Sequence, residues 1–176
     1  MAWESVVQQP VQDGVVFQGV AIESGDTVQW DASFLKERGR VGLVMDIMGS
    51  WCPNCMDEAR LLRELAPENP DIQFVSLAFE RNSGEGALKR LRSFQADMDI
   101  DWPILLGGPA SKSAAANALA FIDTVHSFPT TVFWKPGGSP VVHRGFNGPA
   151  TGDGYAREKE FFLNQLRWLN GRSESH

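Results

Sequence analysis

Cys52 and Cys55 are the only cysteines in the 176-residue chain, and they stand in the segment Trp51-Cys52-Pro53-Asn54-Cys55. Two sulfurs at this spacing can exchange thiol and disulfide states, one attacking a partner's sulfur and the other resolving the mixed disulfide. Other chemistry fits less well. A structural zinc site needs four ligands, and no second cysteine pair exists; His126 and His143 would complete a set only by coincidence. A purely structural disulfide across so short a loop would restrict the unfolded chain little. Two unrelated buried thiols would not sit where a strand turns into a helix, and that is the context here.

The apolar stretch from Val41 to Met48 reads as a buried strand running up to the cysteines. After them, Met56 to Leu65 repeats apolar residues at three and four, which predicts a helix. A Cys-x-x-Cys at such a junction is a redox context. The first turn of a helix has unpaired N–H groups and a partial positive charge, so a thiolate there is stabilised. Cysteines in such settings fall to roughly 3.5–7.5, from about 8.5 for a free thiol. Pro53 suits the first helical position, where its missing N–H costs no hydrogen bond. Cys52 is therefore the expected nucleophile, and Cys55, about one turn deeper, the resolving thiol.

The remaining elements must hold this junction in place. Residues 1–13 are polar and aperiodic, a flexible lead-in to a single domain over 14–171, with 172–176 as a tail. Gly14–Ile22 and Asp26–Trp30 flank Glu23-Ser24-Gly25 as a hairpin. Asp31 can cap a short helix reaching about Arg38, with Phe34 and Leu35 facing inward. A second strand is expected over 72–79, apolar on both faces and so covered on both. Helices follow at 84–98 and 111–120, the first with a basic, solvated face, and a short extended piece at 102–106 lies between them. Thr130–Trp134 and Val141–Phe146 form a second hairpin around a Pro/Gly turn. Tyr155–Leu169 is a terminal amphipathic helix stopped by Asn170-Gly171. Strand–helix alternation closed by a hairpin predicts an α/β fold with a mixed central sheet flanked by helices.

Composition excludes several roles. A net charge of −6 without a basic cluster argues against a nucleic-acid surface. No apolar run is long enough to cross a bilayer, so stable membrane insertion is not expected. The first ten residues lack the basic and apolar regions of a signal peptide.

Trp51-Cys52-Pro53-Asn54-Cys55, the strand before it and Phe128-Pro129-Thr130-Thr131 together resemble the thioredoxin superfamily. More narrowly they resemble the TlpA/ResA-like thiol–disulfide oxidoreductases of the bacterial cell envelope. The likeness extends over about 15–170 and includes the N-terminal hairpin, a strand–helix insertion near 102–120 and the stretch Gly145–Gly152. It implies a thioredoxin-like fold and a cis Phe128–Pro129 bond beside the cysteines, with the Phe128 backbone able to pair with an extended substrate segment. It also implies a protein-disulfide reductase with no cofactor beyond its own Cys52–Cys55 disulfide. Its partners would be protein thiols and disulfides and an upstream electron-donor protein, in the periplasm or envelope; a cytoplasmic setting stays open.

Asp46 lies six residues before Cys52 in an otherwise apolar strand, on the same face as Val44 and Met48. A buried carboxylate is costly, so its pKa should rise unless it is well paired. The resemblance makes it the general acid/base for Cys55; hydrogen bonding to a neighbouring loop is the plainer alternative. The strand over 72–79 lacks the lysine that thioredoxin sets near this acid. Trp51, Pro53, Phe128, Pro129 and Phe146 are the candidates for the substrate-facing rim, Phe146 being equally suited to the core. Two rivals remain. A peroxiredoxin-like peroxidase would carry a Pro-x-x-x-Thr/Ser-x-x-Cys segment, which is absent. A copper metallochaperone of the Sco type could use His143 but would put three residues between its cysteines.

Overall fold

The computed structural model describes residues 15–119, 121, 122, 125 and 127–172. The lead-in over 1–13, the end of the tail, Ala120 and His126 lie outside the described residues.

Seven strands form one sheet in the order β2-β1-β5-β4-β3-β6-β7. Its middle is β3 (Gly42–Met48) and β4 (Ile72–Glu80), parallel to each other, and every residue of both is buried. β5 (Ile104–Pro109) continues the parallel part beside β4. β6 (Thr130–Trp134) runs antiparallel on the other side of β3, and β7 (Val141–Arg144) closes that edge. The N-terminal hairpin, β1 (Phe17–Ala21) and β2 (Thr27–Trp30), joins the opposite edge through antiparallel β1–β5 pairing. The sheet is mixed, as the alternation predicted.

Among the described residues, five α-helices cover it. α1 (Ala32–Glu37) is capped by Asp31, whose carboxylate accepts the Phe34 N–H at 3.1 Å. Leu35 is buried as expected, whereas Phe34 is half-buried and stacks on Trp30 with ring centroids 4.0 Å apart. α2 (Pro53–Leu65) follows the cysteine junction and gives way to a 3-10 turn over Ala66–Glu68 that accommodates Pro67. α3 (Gly84–Asp97) and α4 (Lys112–Ala118) flank β5, the second capped by Ser111. α5 (Tyr155–Leu169) ends where Gly171, at φ 72°, turns its N–H back to the Trp168 carbonyl.

Several boundaries differ from expectation, most of all at β5 and β7. β5 starts two residues later than the predicted extended piece and ends three later, because Gly107 lies under Phe79. A Cβ at Gly107 would come within 2.7 Å of that ring, so only glycine lets the strand close there. Trp102 precedes β5 and donates its indole N–H to Ser76 Oγ at 2.9 Å. β7 stops at Arg144, before Phe146.

Each face of the sheet packs its own apolar layer. One layer joins Phe17, Trp30, Leu35, Met45, Ile47, Leu77 and Val132 under the hairpin, α1 and α4. The other joins Val44, Met48, Phe74, Phe133 and Phe162 under α2, α3 and α5, and contains both cysteines.

Candidate active site

The junction after β3 is held by the end of its neighbour β4. Gly49 begins it, and no side chain fits there because a Cβ would meet Trp51 Nε1 at 2.2 Å. Ser50 is buried; its N–H donates to Glu80 Oε2 at 2.8 Å and its hydroxyl donates to Glu80 Oε1. Trp51 Nε1 donates to the Phe79 carbonyl at 2.8 Å, and the Arg81 guanidinium lies 4.7 Å from the Trp51 ring centre.

Cys52 then caps α2. Its Sγ accepts the Cys55 N–H at 3.2 Å, and Pro53 opens the helix, as its fixed φ favours. The Cys55 thiol, hydrogen-bonded to the Cys52 sulfur, is the largest cause that lowers the Cys52 thiol to about 7; burial opposes it and the Cys55 N–H adds to the lowering. Cys55 moves the other way. It is fully enclosed, and burial, together with the Cys52 and Asp46 charges, raises its thiol far above the ordinary range. Both thiols are reduced. Cys52 is 5% exposed, so the nucleophile shows only a sliver of surface.

Opposite Cys52, the Phe128–Pro129 bond is cis, as expected, and the Cys52 thiol donates to the Phe128 carbonyl at 3.5 Å. The Phe128 ring meets Trp51 edge-on at 5.5 Å. Trp51, Pro53, Phe128 and Pro129 therefore surround the sulfur. Phe146 does not join them at the surface. It is buried and packs edge-on against Phe162 and Tyr155, in the same apolar layer as the cysteines. Of its two expected places it takes the core one.

Beneath the thiols lies a pair of carboxyl groups. Burial pushes Asp46 up from 3.8 to about 7, and hydrogen bonds from Glu58 and Ser76 oppose this in part. Glu58 is also fully buried and raised well above its usual value, by burial first and by the Asp46 charge second. Thr131 Oγ1 donates to Glu58 Oε1 at 2.7 Å. One oxygen of each acid, Asp46 Oδ1 and Glu58 Oε2, receives no donor from the other described groups. Two carboxylates repel, and they hydrogen-bond only when a proton lies between them. Burial thus favours the protonated, uncharged form of both acids.

Sequence reasoning missed Glu58 and Glu80. Glu58 could have been found, since it follows Cys55 by three and precedes Leu62 by four, on the inward stripe of α2. Glu80 ends β4 and bears no pattern of its own. His143 stands apart from the cysteines: its Nε2 lies 2.8 Å from Glu158 Oε2, and the Asn147 backbone and side-chain N–H groups both reach Glu158 Oε1 at 2.8 Å. Among the described residues no group of three His, Cys, Asp or Glu could hold a metal ion.

No family model matches the chain, and no curated protein does either. Solved structures do match. A secreted Mycobacterium tuberculosis disulfide oxidoreductase homologous to Escherichia coli DsbE aligns with a TM-score of 0.59 at 18% identity, covering 92% of this chain and 98% of that one. A thioredoxin-family thiol:disulfide interchange protein from Chlorobium tepidum aligns at 0.55 and 18%, covering 90% and 95%. The exposed lipoprotein thioredoxin Etrx1 of Streptococcus pneumoniae aligns at 0.56 and 20%, covering 87% and 98%. The chain has a thioredoxin-like fold. Among its described helices, none is long and apolar enough to cross a membrane.

Proposed function

We propose that the protein is a thiol–disulfide oxidoreductase that reduces disulfides in other proteins through Cys52 and Cys55. The observation that carries this reading is the opposed state of the two thiols. One is lowered to about 7 at a helix start, and the other is enclosed and raised. A pair so divided has an attacking and a resolving member. Fold alone would not carry the reading, since one fold serves many chemistries. The matched oxidoreductases support it.

In the reductive direction the Cys52 thiolate attacks one sulfur of the partner's disulfide. That S–S bond breaks, a Cys52–partner bond forms, and the leaving thiolate takes a proton. Cys55 then gives its proton to the Asp46–Glu58 pair and attacks the Cys52 sulfur. The second partner thiolate departs and a Cys52–Cys55 disulfide remains. Two electrons have passed to the partner, and a dithiol donor protein must return them. Trp51, Pro53, Phe128 and Pro129 line the approach to Cys52. An envelope or periplasmic location accords with the secreted and exposed proteins among the matches.

The test is a Cys55→Ala variant exposed to a cell-envelope extract. Mixed disulfides on Cys52 should accumulate and be identifiable by mass spectrometry, and the wild type should reduce insulin with dithiothreitol as donor. Absence of adducts together with no insulin reduction overturns the reading.

A further inference from the structure

The mechanism above leaves two buried carboxylates, Glu80 and Glu158, without a task, and Glu80 is the one beside the cysteine junction. Glu80 is 2% exposed, lies at the last position of β4, and spends both oxygens on Ser50, two residues before the nucleophile. The Ser50 hydroxyl is shared: Arg90 Nε of α3 donates to its oxygen at 3.2 Å. On either side of Glu80, the Phe79 carbonyl takes the Trp51 indole and Arg81 covers the Trp51 ring. Phe79 and Glu80 at the end of β4, with Arg81 just after it, thus hold Ser50 and Trp51, two consecutive residues of the junction after β3. Apart from these bonds the junction has one short turn of its own, Cys52 N–H to the Gly49 carbonyl at 3.2 Å.

Resting on the oxidoreductase reading, we propose that Glu80 is a positioning residue for the Cys52 thiol. By anchoring both donors of Ser50 it fixes the backbone from which Cys52 caps α2, and so keeps Sγ on the Cys55 N–H. The argument is geometric. A buried carboxylate needs donors, and Ser50 supplies two from one residue, which fixes both its position and its orientation.

Charge and position make opposite forecasts, and that separates this role from a merely electrostatic one. As a bare negative charge near the thiol, Glu80 would hold the thiolate back, and its removal would move the Cys52 titration down. As an anchor, its removal frees Sγ from the Cys55 N–H and moves the titration up. The experiment follows thiolate absorbance at 240 nm against pH in the reduced full chain, beside the rate of iodoacetamide alkylation at fixed pH. Glu80→Gln loses the charge and keeps one acceptor. Ser50→Ala keeps Glu80 and the N–H bond but loses the hydroxyl, which provides a milder variant should Glu80→Gln unfold.

The proposal expects the Cys52 midpoint to rise by about half a pH unit to one unit in Glu80→Gln and by less in Ser50→Ala. Alkylation at pH 7 should slow about twofold to fivefold, the fall in thiolate fraction that such a shift implies. A downward shift, or an unchanged midpoint in a folded Glu80→Gln and in Ser50→Ala, overturns it. These readouts need no partner protein. A wild type that titrates as described but reduces no insulin would sink the oxidoreductase reading and leave the positioning role standing.

Discussion

The two faces of the central strands differ sharply. On one, Met45, Ile47, Val75, Leu77 and Phe79 pack with Trp30, Leu35 and Val132 in an apolar layer. On the other, the alternate positions of the same strands bring Asp46, Ser76 and Thr131 among Val44, Phe74 and Phe133, and α2 adds Glu58 to them. Strand periodicity of two lets neighbouring residues serve opposite ends, one for cohesion and the next for proton handling. The buried carboxyl groups Asp46 and Glu58 sit on the side that contains the thiols. Burying a carboxylate costs stability, and here the cost falls where a raised pKa is of use.

If the layers are independent, damage to the apolar one should leave the thiols unchanged. Leu77→Ala should lower unfolding stability by about 2–5 kcal/mol in urea while the Cys52 midpoint stays near 7. A shifted midpoint would break the division. Asp46→Asn should do the reverse. Insulin reduction should slow about 100-fold, the scale of a lost acid–base group. Asp46 is raised in the fold, so its favourable share is complete below about pH 4 and is lost as pH rises through about 7. The Asn variant should accordingly gain on the wild type by about 2–3 kcal/mol between pH 5 and pH 8 in urea melts.

The smallest effect concerns Cys52 itself. Its folded value lies below the ordinary thiol value of 9.0, so its contribution is present above that and fades as pH falls through about 7. Reduced wild type should gain about 1 kcal/mol on Cys52→Ser from pH 7 to pH 9, once screening of this partly exposed group is counted. No gain would mean that the Cys55 N–H does not favour the thiolate.

Much of this was legible in the chain. A carboxylate inside Val44–Met48 stands out against its neighbours, so Asp46 was visible. Glu58 was marked only by its place three after Cys55 and four before Leu62, since Asp57 and Glu64 of the same helix are like residue types without that place. The Phe128–Pro129 geometry came through resemblance, since most X–Pro bonds in folded proteins are trans. Sheet order was hidden. Nothing local in Phe17–Ala21 tells that its partner beyond the hairpin is β5, because pairing is decided by what each face buries. Glu80 became interpretable only once Ser50, thirty residues away, was seen above it.

The near-complete enclosure of Cys52 has a consequence for what can be acted upon. Reaction needs an incoming S–S bond aligned with the attacking sulfur, and Trp51 and Phe128 restrict the directions of approach. A disulfide recessed in a folded surface could not meet that line, whereas one on a protruding or still unfolded strand could. Choice among client proteins would then depend on how far their sulfur bridge stands out rather than on the residues around it.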